Sequence, residues 1–246
     1  MSNIAAIILG RKGSKGVKDK NTMIIKGIPS YEYSFLAAQN SKFINQVFVS
    51  SDHDDILNAA IEKKFFTIKR PKYLSTDKAL FEDALVHAYK EVKKRNKLAL
   101  DYIVVLMCNS ITINSSLIDQ GIELLNFNKD ADSAVTVTVL NMYSPLRARK
   151  LNEEGFLDPF VPFEVFGDPE TLSCDRDSQG DVYFADMSHT VCRADCIEKI
   201  EEGLLPQKWM GKKILPILNQ NGCDIDEPWQ IDMSLRWLKN NTNKSH

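Results

Sequence analysis

Short segments of continuously apolar residues alternate with longer amphipathic segments through the first 140 residues of the chain. The apolar segments are predicted strands, and the amphipathic segments are predicted helices. Strands that are apolar throughout, with helices between them, are typical of a parallel sheet covered on both faces. We therefore predict an α/β fold with a doubly wound, mostly parallel sheet. Its strands are expected near residues 4–9, 46–50, 66–69, 102–107 and 133–140, and its helices near residues 30–41, 54–64, 81–95 and 115–127.

This alternation stops at about residue 141 and returns after residue 190. Between these positions four prolines and three glycines divide the chain into short pieces. A segment that interrupts a doubly wound core in this way is predicted to be an inserted lobe, which could serve as a lid or as an interface. The predicted core is thus formed by residues 1–140 and 191–246, and the predicted lobe by residues 141–190.

A basic, glycine-rich loop follows the first predicted strand, where a doubly wound fold places its ligand. Glycines let backbone N–H groups turn toward phosphate oxygens, while lysine and arginine neutralise the phosphate charge. The spacing matches neither the P-loop nor the dinucleotide-binding fingerprint. The loop is a candidate polyphosphate site, and a solvated basic turn would have the same composition. The candidate residues are Leu9, Gly10, Arg11, Gly13, Ser14, Lys15, Gly16, Lys20 and Asn21.

The composition limits the possible partners. A chain of 246 residues with a net charge of −2 gives no support for nucleic acid or a membrane as the main partner. No apolar run approaches the ~20 residues of a membrane span, and the N-terminus lacks the pattern of a signal peptide. The five cysteines contain no C-x-x-C pair and are predicted to be reduced, mostly buried thiols. We therefore expect a cytoplasmic protein.

Two aspartates near the C-terminus, Asp224 and Asp226, form a candidate metal site. Residues two apart on an extended segment project from the same face. Two carboxylates near phosphates offer the hard oxygen ligands that Mg²⁺ prefers. The D-x-D pattern is common, and glycosyltransferases also use it, although in those enzymes it usually lies much closer to the N-terminus.

Four blocks of the sequence resemble the acylneuraminate cytidylyltransferases, a family that activates acidic sugars with CTP. The glycine-rich loop has the family's spacing R-x-x-S-K-G-x-x-x-K-N. Residues 41–52 resemble its strand S-x-x-F-D-x-V-x-V-S-T-D, residues 70–77 resemble its segment R-P-x-x-L-A-x-D, and residues 223–226 resemble its terminal D-I-D. The four blocks occur in the family's order and cover most of the chain.

The resemblance implies a Rossmann-like nucleotidyltransferase that transfers CMP from CTP to the hydroxyl of a nonulosonic or related ulosonic acid and releases pyrophosphate. It implies that Arg11, Lys15 and Lys20 are catalytic and contact the triphosphate, with Mg²⁺ bound at Asp224 and Asp226. The other loop residues would bind the nucleotide together with Arg70, Asp77 and Ala79. Family members use the inserted lobe to dimerise, so a homodimer is expected.

The blocks that bind the sugar depart from the family's pattern. The block L-Q-P-T-S-P-L-R corresponds to residues 106–113, where the glutamine is replaced by Met107 and both prolines are lost. The asparagine of N-G-A-I-Y-I is replaced by Asp186, an anion that would suit an amino or hydroxyl group. Buried polar groups reject ligands that leave them unpaired, so these changes should alter which acceptor is bound. The candidate acceptor-binding residues are Asn109, Ser110, Arg147, Arg176, Tyr183 and Asp186.

Two alternatives remain at this stage. The first is a nucleotidyltransferase of the same fold with another base or acceptor, such as a sugar 1-phosphate. Leu80 and Phe81 keep it open, because relatives have serines at these positions beside the expected base site. The second is a non-catalytic nucleotide-sugar binding protein. The intact Lys15, Lys20 and D-x-D pair argue against it.

Overall fold

The computed structural model describes residues 2–13, 16–96, 99–173, 175 and 180–241. In chain order its strands and helices are β1 (Ile4–Gly10), β2 (Ile24–Ile25), β3 (Ile28–Pro29), α1 (Ser30–Asn40), β4 (Gln46–Ser51), α2 (Asp54–Glu62), β5 (Phe66–Lys69), α3 (Phe81–Arg95), β6 (Tyr102–Met107), α4 (Ser115–Phe127), β7 (Ser133–Val139), β8 (Arg149–Leu151), β9 (Leu157–Pro159), β10 (Tyr183–Arg193), α5 (Ala194–Glu198), β11 (Ile214–Leu218) and α6 (Pro228–Asn241). The predicted alternation of strands and helices up to residue 140 is confirmed.

Seven of the strands form one sheet in the order β11-β7-β10-β6-β1-β4-β5. β10 runs antiparallel to β6 and β7, and the other neighbouring pairs are parallel. All seven residues of β1 are buried between β6 and β4. A strand covered on both faces needs apolar residues throughout, as the sequence of β1 provides. The predicted, mostly parallel sheet is therefore confirmed.

Helices cover both faces of the sheet. Phe35 of α1, Ile56 of α2 and Ile118 of α4 belong to the hydrophobic cluster on one face. Leu85 of α3 and Ile197 of α5 belong to the cluster on the other face. Successive residues of β1 enter the two clusters alternately, as the pleat of a strand requires. This doubly wound arrangement leaves the carboxyl edge of the strands for loops that can bind a ligand.

The last helix packs at the carboxyl edge of the sheet. Trp237 and Leu238 of α6 form a third, smaller cluster with Val17, Ile25 and Ile225. Val17 belongs to the loop after β1, and Ile225 lies between the two aspartates of the D-x-D pair. The cluster therefore brings the two predicted halves of the site toward each other.

The described residues of the interrupted region, 141–173, 175 and 180–182, lie outside the main sheet and include 3₁₀ turns and the hairpin of β8 and β9. β10 begins at Tyr183, and residues 183–185 already pair with β7. The insertion thus returns to the sheet before the predicted boundary at residue 190. The pairing of β10 is interrupted between Ala185 and Thr190, where Met187 has a φ of 56°. This bulge breaks the side-chain alternation and concealed the start of the strand.

Two predictions from composition can be compared with the described part of the chain. None of its helices combines the length and the apolar character that crossing a bilayer requires. The cysteines Cys108, Cys192, Cys196 and Cys223 are free and buried, as predicted. Cys174 lies outside the described residues.

Candidate active site

A cleft of about 420 Å³ opens at the carboxyl edge of the sheet. It adjoins the ends of β1, β5 and β6, the position at which doubly wound folds bind their ligands. Most of the predicted nucleotide-binding residues and both predicted metal ligands meet here. The predicted residues that line the cleft are Leu9, Gly10, Arg11, Gly16, Lys20, Asn21, Arg70, Ala79, Asn109, Asp224 and Asp226.

The glycine-rich loop and the D-x-D pair contact each other directly. The ammonium of Lys20 forms an ion pair with the carboxylate of Asp226, although the two residues are 206 positions apart. Gly16 packs against the same segment so closely that a Cβ there would lie 2.1 Å from the Asp226 carbonyl oxygen. Because no real side chain tolerates such a contact, the approach of the two segments requires glycine at position 16.

The start of the loop is held by side chains on neighbouring elements. Asn21 Nδ2 donates to the carbonyl of Arg11 at 2.8 Å, and Asn21 is buried. Arg11 Nη1 donates to Asp77 Oδ1 at 2.8 Å, which places Asp77 beside the cleft. The N–H of Lys12 donates to Asp52 Oδ1, also at 2.8 Å. Asn21 therefore braces the loop.

The residues present fit a divalent cation at Asp224 and Asp226. Burial, followed by the charge of Asp226, raises the pKa of Asp224 to about 6. A cation between the two carboxylates would relieve this repulsion, as the ammonium of Lys20 already does for Asp226. Within the described ranges, no group of three or more His, Cys, Asp or Glu side chains could hold a metal ion. Two carboxylates leave the rest of an octahedron to water and phosphate oxygens, which is the usual coordination of Mg²⁺.

Arg70 contributes a buried cation to the cleft. It directly follows β5, is 6% exposed, and donates from Nη2 to the Ser50 carbonyl at 3.0 Å. Burial lowers the pKa of Arg70, but a guanidinium remains charged at neutral pH. Its Nε has no hydrogen-bond partner within the part of the chain that the structure describes. Because Arg70 lines the cleft, its guanidinium places a positive charge beside any ligand bound there.

Sequence reasoning missed most of the apolar wall of the cleft. This wall contains Leu74, Leu80, Phe81, Ala84 and Met107. Leu80 and Phe81 were recognised only as departures from the family's pattern. Residues 80, 81 and 84 are spaced so that they share one face at the start of α3, which is a signal that could have identified them. Glu227 also lines the cleft and was not predicted.

Several predicted residues lie outside the lining of the cleft. Ser110 is fully buried, so its side chain is not accessible to a substrate. Gly13, with a φ of 72°, lies further along the loop, and Arg147 and Tyr183 are exposed in or next to the lobe. The remaining predictions for Ser14, Lys15 and Arg176 concern residues outside the described ranges.

Asp186 does not face the cleft as the sequence suggested. Its Oδ1 accepts a hydrogen bond from the Ser188 N–H at 2.8 Å, and its Oδ2 accepts one from Asn219 Nδ2 at 2.8 Å. The residue is buried, and this burial raises the pKa of its carboxyl group. Asp186 lies within the irregularity of β10 between Ala185 and Thr190, where regular pairing with β7 is interrupted. Asp186 is therefore part of a buried network and not a direct contact for an acceptor.

A basic glycine-rich loop that faces a carboxylate pair at the carboxyl edge of a doubly wound sheet is the arrangement of an α/β nucleotide-binding protein. Comparison with known families agrees with this class. Residues 5–153, more than half of the chain, match the family described as "Cytidylyltransferase". The chain belongs to this cytidylyltransferase family.

Individual relatives support the resemblance found in the sequence. The N-acylneuraminate cytidylyltransferase of Oncorhynchus mykiss is 26% identical over 229 residues, which cover 93% of this chain and 49% of that protein. The CMP-N,N'-diacetyllegionaminic acid synthase of Campylobacter jejuni is 35% identical over 100 residues, which cover 38% of this chain and 42% of that protein. The chain thus spans about half or less of the length of these curated relatives. The predicted similarity to acylneuraminate cytidylyltransferases is confirmed.

A solved structure supports the fold. CMP:2-keto-3-deoxy-manno-octonic acid synthetase, in complex with CTP, matches 98% of this chain and 100% of its own chain with a TM-score of 0.66. The two sequences are 13% identical. This likeness confirms the predicted Rossmann-like fold.

Proposed function

We propose that this chain transfers CMP from CTP to the hydroxyl of an acidic sugar and releases pyrophosphate. The observation that carries this proposal is that the loop after β1 faces Asp224 and Asp226 across one cleft. Membership of the cytidylyltransferase family supports CTP as the nucleotide. We propose the cytoplasm as the place of the reaction.

In this proposal the chain acts mainly by positioning and by electrostatics. Lys20 and Arg11 neutralise the triphosphate, and Lys20 stabilises the charge that develops on the departing pyrophosphate. Asn21 keeps the loop in the conformation that presents the Arg11 side chain. Asp224 and Asp226 hold Mg²⁺, which when bound polarises the α-phosphoryl group and neutralises the leaving pyrophosphate. Arg70 donates a hydrogen bond to the base.

The proposed acceptor is a nonulosonic acid or a related ulosonic acid. Relatives and the solved structure are named for acids of this kind, including N-acylneuraminate and 2-keto-3-deoxy-manno-octonic acid. Asn109 lines the cleft beside Asp224, so an acceptor bound there would lie next to both side chains. Met107 gives the same wall an apolar surface, which favours an acceptor with an apolar group at that point.

The decisive experiment measures pyrophosphate release from CTP with a panel of nine-carbon and eight-carbon ulosonic acids. Parallel reactions contain ATP, GTP or UTP, and sugar 1-phosphates as acceptors. We expect release only with CTP and an ulosonic acid. Consumption of another nucleotide would contradict the assignment of the base, and turnover only with a sugar 1-phosphate would contradict the acceptor. Binding of CTP without turnover in any reaction would leave a binding protein and overturn the enzymatic proposal.

We also propose that the inserted lobe forms the interface of a homodimer. Large apolar side chains are exposed throughout this region, although they are costly to leave in water. They are Met142, Tyr143, Leu151, Phe156, Leu157, Phe160, Val165, Phe166, Tyr183 and Phe184. A second copy of the chain would cover them.

A further inference from the structure

The loop after β6 holds the backbone on both sides of Asp224. On one side, the N–H of Ile225 donates to the carbonyl of Asn109 at 3.1 Å, and Asn109 Nδ2 donates to the carbonyl of Ile225 at 3.1 Å. On the other side, Thr112 Oγ1 donates to the carbonyl of Cys223 at 2.8 Å and accepts from the N–H of Cys223 at 2.9 Å. The backbone N–H and the carbonyl of Cys223, and those of Ile225, are therefore all held by hydrogen bonds.

Thr112 is held in turn by a buried polar network. Thr112 has one hydroxyl hydrogen, which it donates to the carbonyl of Cys223. Ser188 Oγ lies 2.8 Å from Thr112 Oγ1 and must therefore be the donor in that hydrogen bond. Asn219 Nδ2 donates to the carbonyl of Thr112 at 2.9 Å, and Asn219 Oδ1 accepts from Trp237 Nε1 at 2.8 Å. These side chains are at most 5% exposed, so water does not compete for their hydrogen bonds.

The segment before the aspartates is also packed directly on this network. A Cβ at Gly222 would lie 2.1 Å from Asn219 Nδ2 and 2.1 Å from Asp186 Oδ2. Gly222 therefore lets the backbone approach the network closely, and the segment has little freedom to shift. Thr112 itself is fully buried and does not line the cleft.

We propose that Thr112 is a positioning residue for the metal site: its hydroxyl fixes the backbone at Cys223 and so directs the carboxylate of Asp224 into the cleft. This inference rests on the proposed function, because it takes Asp224 as a metal ligand. The groups that orient metal ligands contribute strongly to affinity, and their loss typically lowers metal affinity by about 10- to 100-fold. Thr112 has this effect without touching the nucleotide or the metal.

The test compares Thr112→Val, which removes the hydroxyl and keeps the branched shape, with Thr112→Ser, which keeps the hydroxyl. Calorimetry measures the affinity for CTP once with EDTA and once with MgCl₂. We expect Thr112→Val to lose most of the gain in CTP affinity that Mg²⁺ provides, by about tenfold or more. Its CTP affinity in EDTA should equal that of the wild type, and Thr112→Ser should restore the gain.

The matched control is Ser133→Ala, which removes another buried hydroxyl. Ser133 Oγ donates to the carbonyl of Met210 at 2.7 Å, at the start of β7 and away from the cleft. This variant should lose stability and keep the full gain in CTP affinity with Mg²⁺. If Thr112→Val does not fold, Ser188→Ala replaces it, because it removes the donor that holds the Thr112 hydroxyl. If Mg²⁺ raises the CTP affinity of Ser188→Ala less than that of Ser133→Ala, the inference is supported. Equal increases in CTP affinity overturn it.

The outcomes separate this inference from the proposed function. If Mg²⁺ raises the CTP affinity of the wild type and of folded Thr112→Val equally, the positioning role is wrong while the proposed metal site stands. If Mg²⁺ does not change the CTP affinity of the wild type, the metal assignment of the proposed function is itself wrong, and the role of Thr112 falls with it.

Discussion

Two of the cations that line the cleft, Lys20 and Arg11, differ in how much water surrounds them. The side chain of Lys20 is 19% exposed beside Asp226, whereas that of Arg11 is 30% exposed beside Asp77. A charge with less surrounding water interacts more strongly with its neighbours. We therefore expect Lys20 to contribute more than Arg11 to stabilising the leaving pyrophosphate.

Replacing Lys20 by alanine should lower the turnover of CTP by about 100- to 1000-fold, the usual loss for an electrostatic group that acts in the transition state. Lys18→Ala is the matched control, because Lys18 is an exposed lysine of the same loop. Steady-state kinetics for CTP, with circular dichroism to establish folding, measure both variants. Wild-type turnover in a folded Lys20→Ala protein would contradict a catalytic role for the loop.

Asp226→Asn should abolish Mg²⁺-dependent turnover at millimolar Mg²⁺, because an amide is a far weaker ligand for this ion than a carboxylate. Asp232→Asn is the control, since Asp232 is exposed on α6. The measurement is the rate of pyrophosphate release against Mg²⁺ concentration. An unchanged Mg²⁺ titration in Asp226→Asn would show that the D-x-D pair is structural.

At the scale of elements, the loop after β1 can contact the segment before α6 because Gly16 has no side chain. Gly16→Ala places a methyl group against the Asp226 carbonyl oxygen, so the two segments must separate. We expect turnover to fall at least tenfold (about 1.4 kcal/mol or more in the barrier) while the sheet stays folded.

Gly27→Ala is the control for this prediction. Gly27 joins β2 to β3 with a φ of 88°, and a Cβ there would meet nothing within 4 Å. The control should cost roughly 1 kcal/mol of stability from backbone strain and leave turnover intact. Thermal unfolding and kinetics measure both effects. Equal turnover in the two variants would argue against the contact at Gly16.

The elements also show what the sequence could and could not predict. β1 and β6 were predictable because strands buried on both faces must be continuously apolar. The start of β10 was not, because the bulge after Ala185 breaks its alternation. Asp186 was expected beside the acceptor, whereas the structure places it in a buried network outside the lining of the cleft. The glycine-rich loop and the D-x-D pair were sufficient to predict Lys20 and Asp226 as site residues. No such motif indicates which face of α3 lines the cleft.

At the scale of the whole molecule, the burial of His189 links stability to pH. His189 belongs to β10, packs against α4 and is 1% exposed. Burial lowers the pKa of this histidine to about 3 from the ordinary 6.5. Below pH 6.5 His189 therefore binds a proton in the unfolded chain but stays neutral in the folded chain. The stability due to neutral His189 is fully present above pH 6.5 and declines as the pH falls toward 3.

Between pH 7.5 and 5.0 this single histidine should lower the free energy of unfolding by about 2 kcal/mol. His189→Leu, which cannot bind a proton, should show a fall that is smaller by about that amount. Urea denaturation at the two pH values measures the difference. Equal falls in the wild type and the variant would contradict this account.

The proposed dimer gives a second prediction for the whole molecule. Leu157→Glu places a charge in the exposed apolar surface of the lobe and should convert the dimer to a monomer. Phe127→Glu is the control, because Phe127 is 89% exposed at the end of α4, outside the lobe. Sedimentation velocity measures both. A monomeric wild type, or a dimeric Leu157→Glu protein, would overturn the assignment of the lobe.

The two partners Lys20 and Asp226 are synthesised at different times, because 206 positions separate them in the chain. A nascent chain that has emerged through Leu218 already contains all seven strands of the sheet. It still lacks the two aspartates and the helix that packs them against the loop after β1. Domains can fold as synthesis proceeds, so the sheet can form first. On the proposed function, the site for metal and nucleotide is then completed only after the sheet has formed, once the segment with Asp224 and Asp226 and the helix α6 have been synthesised.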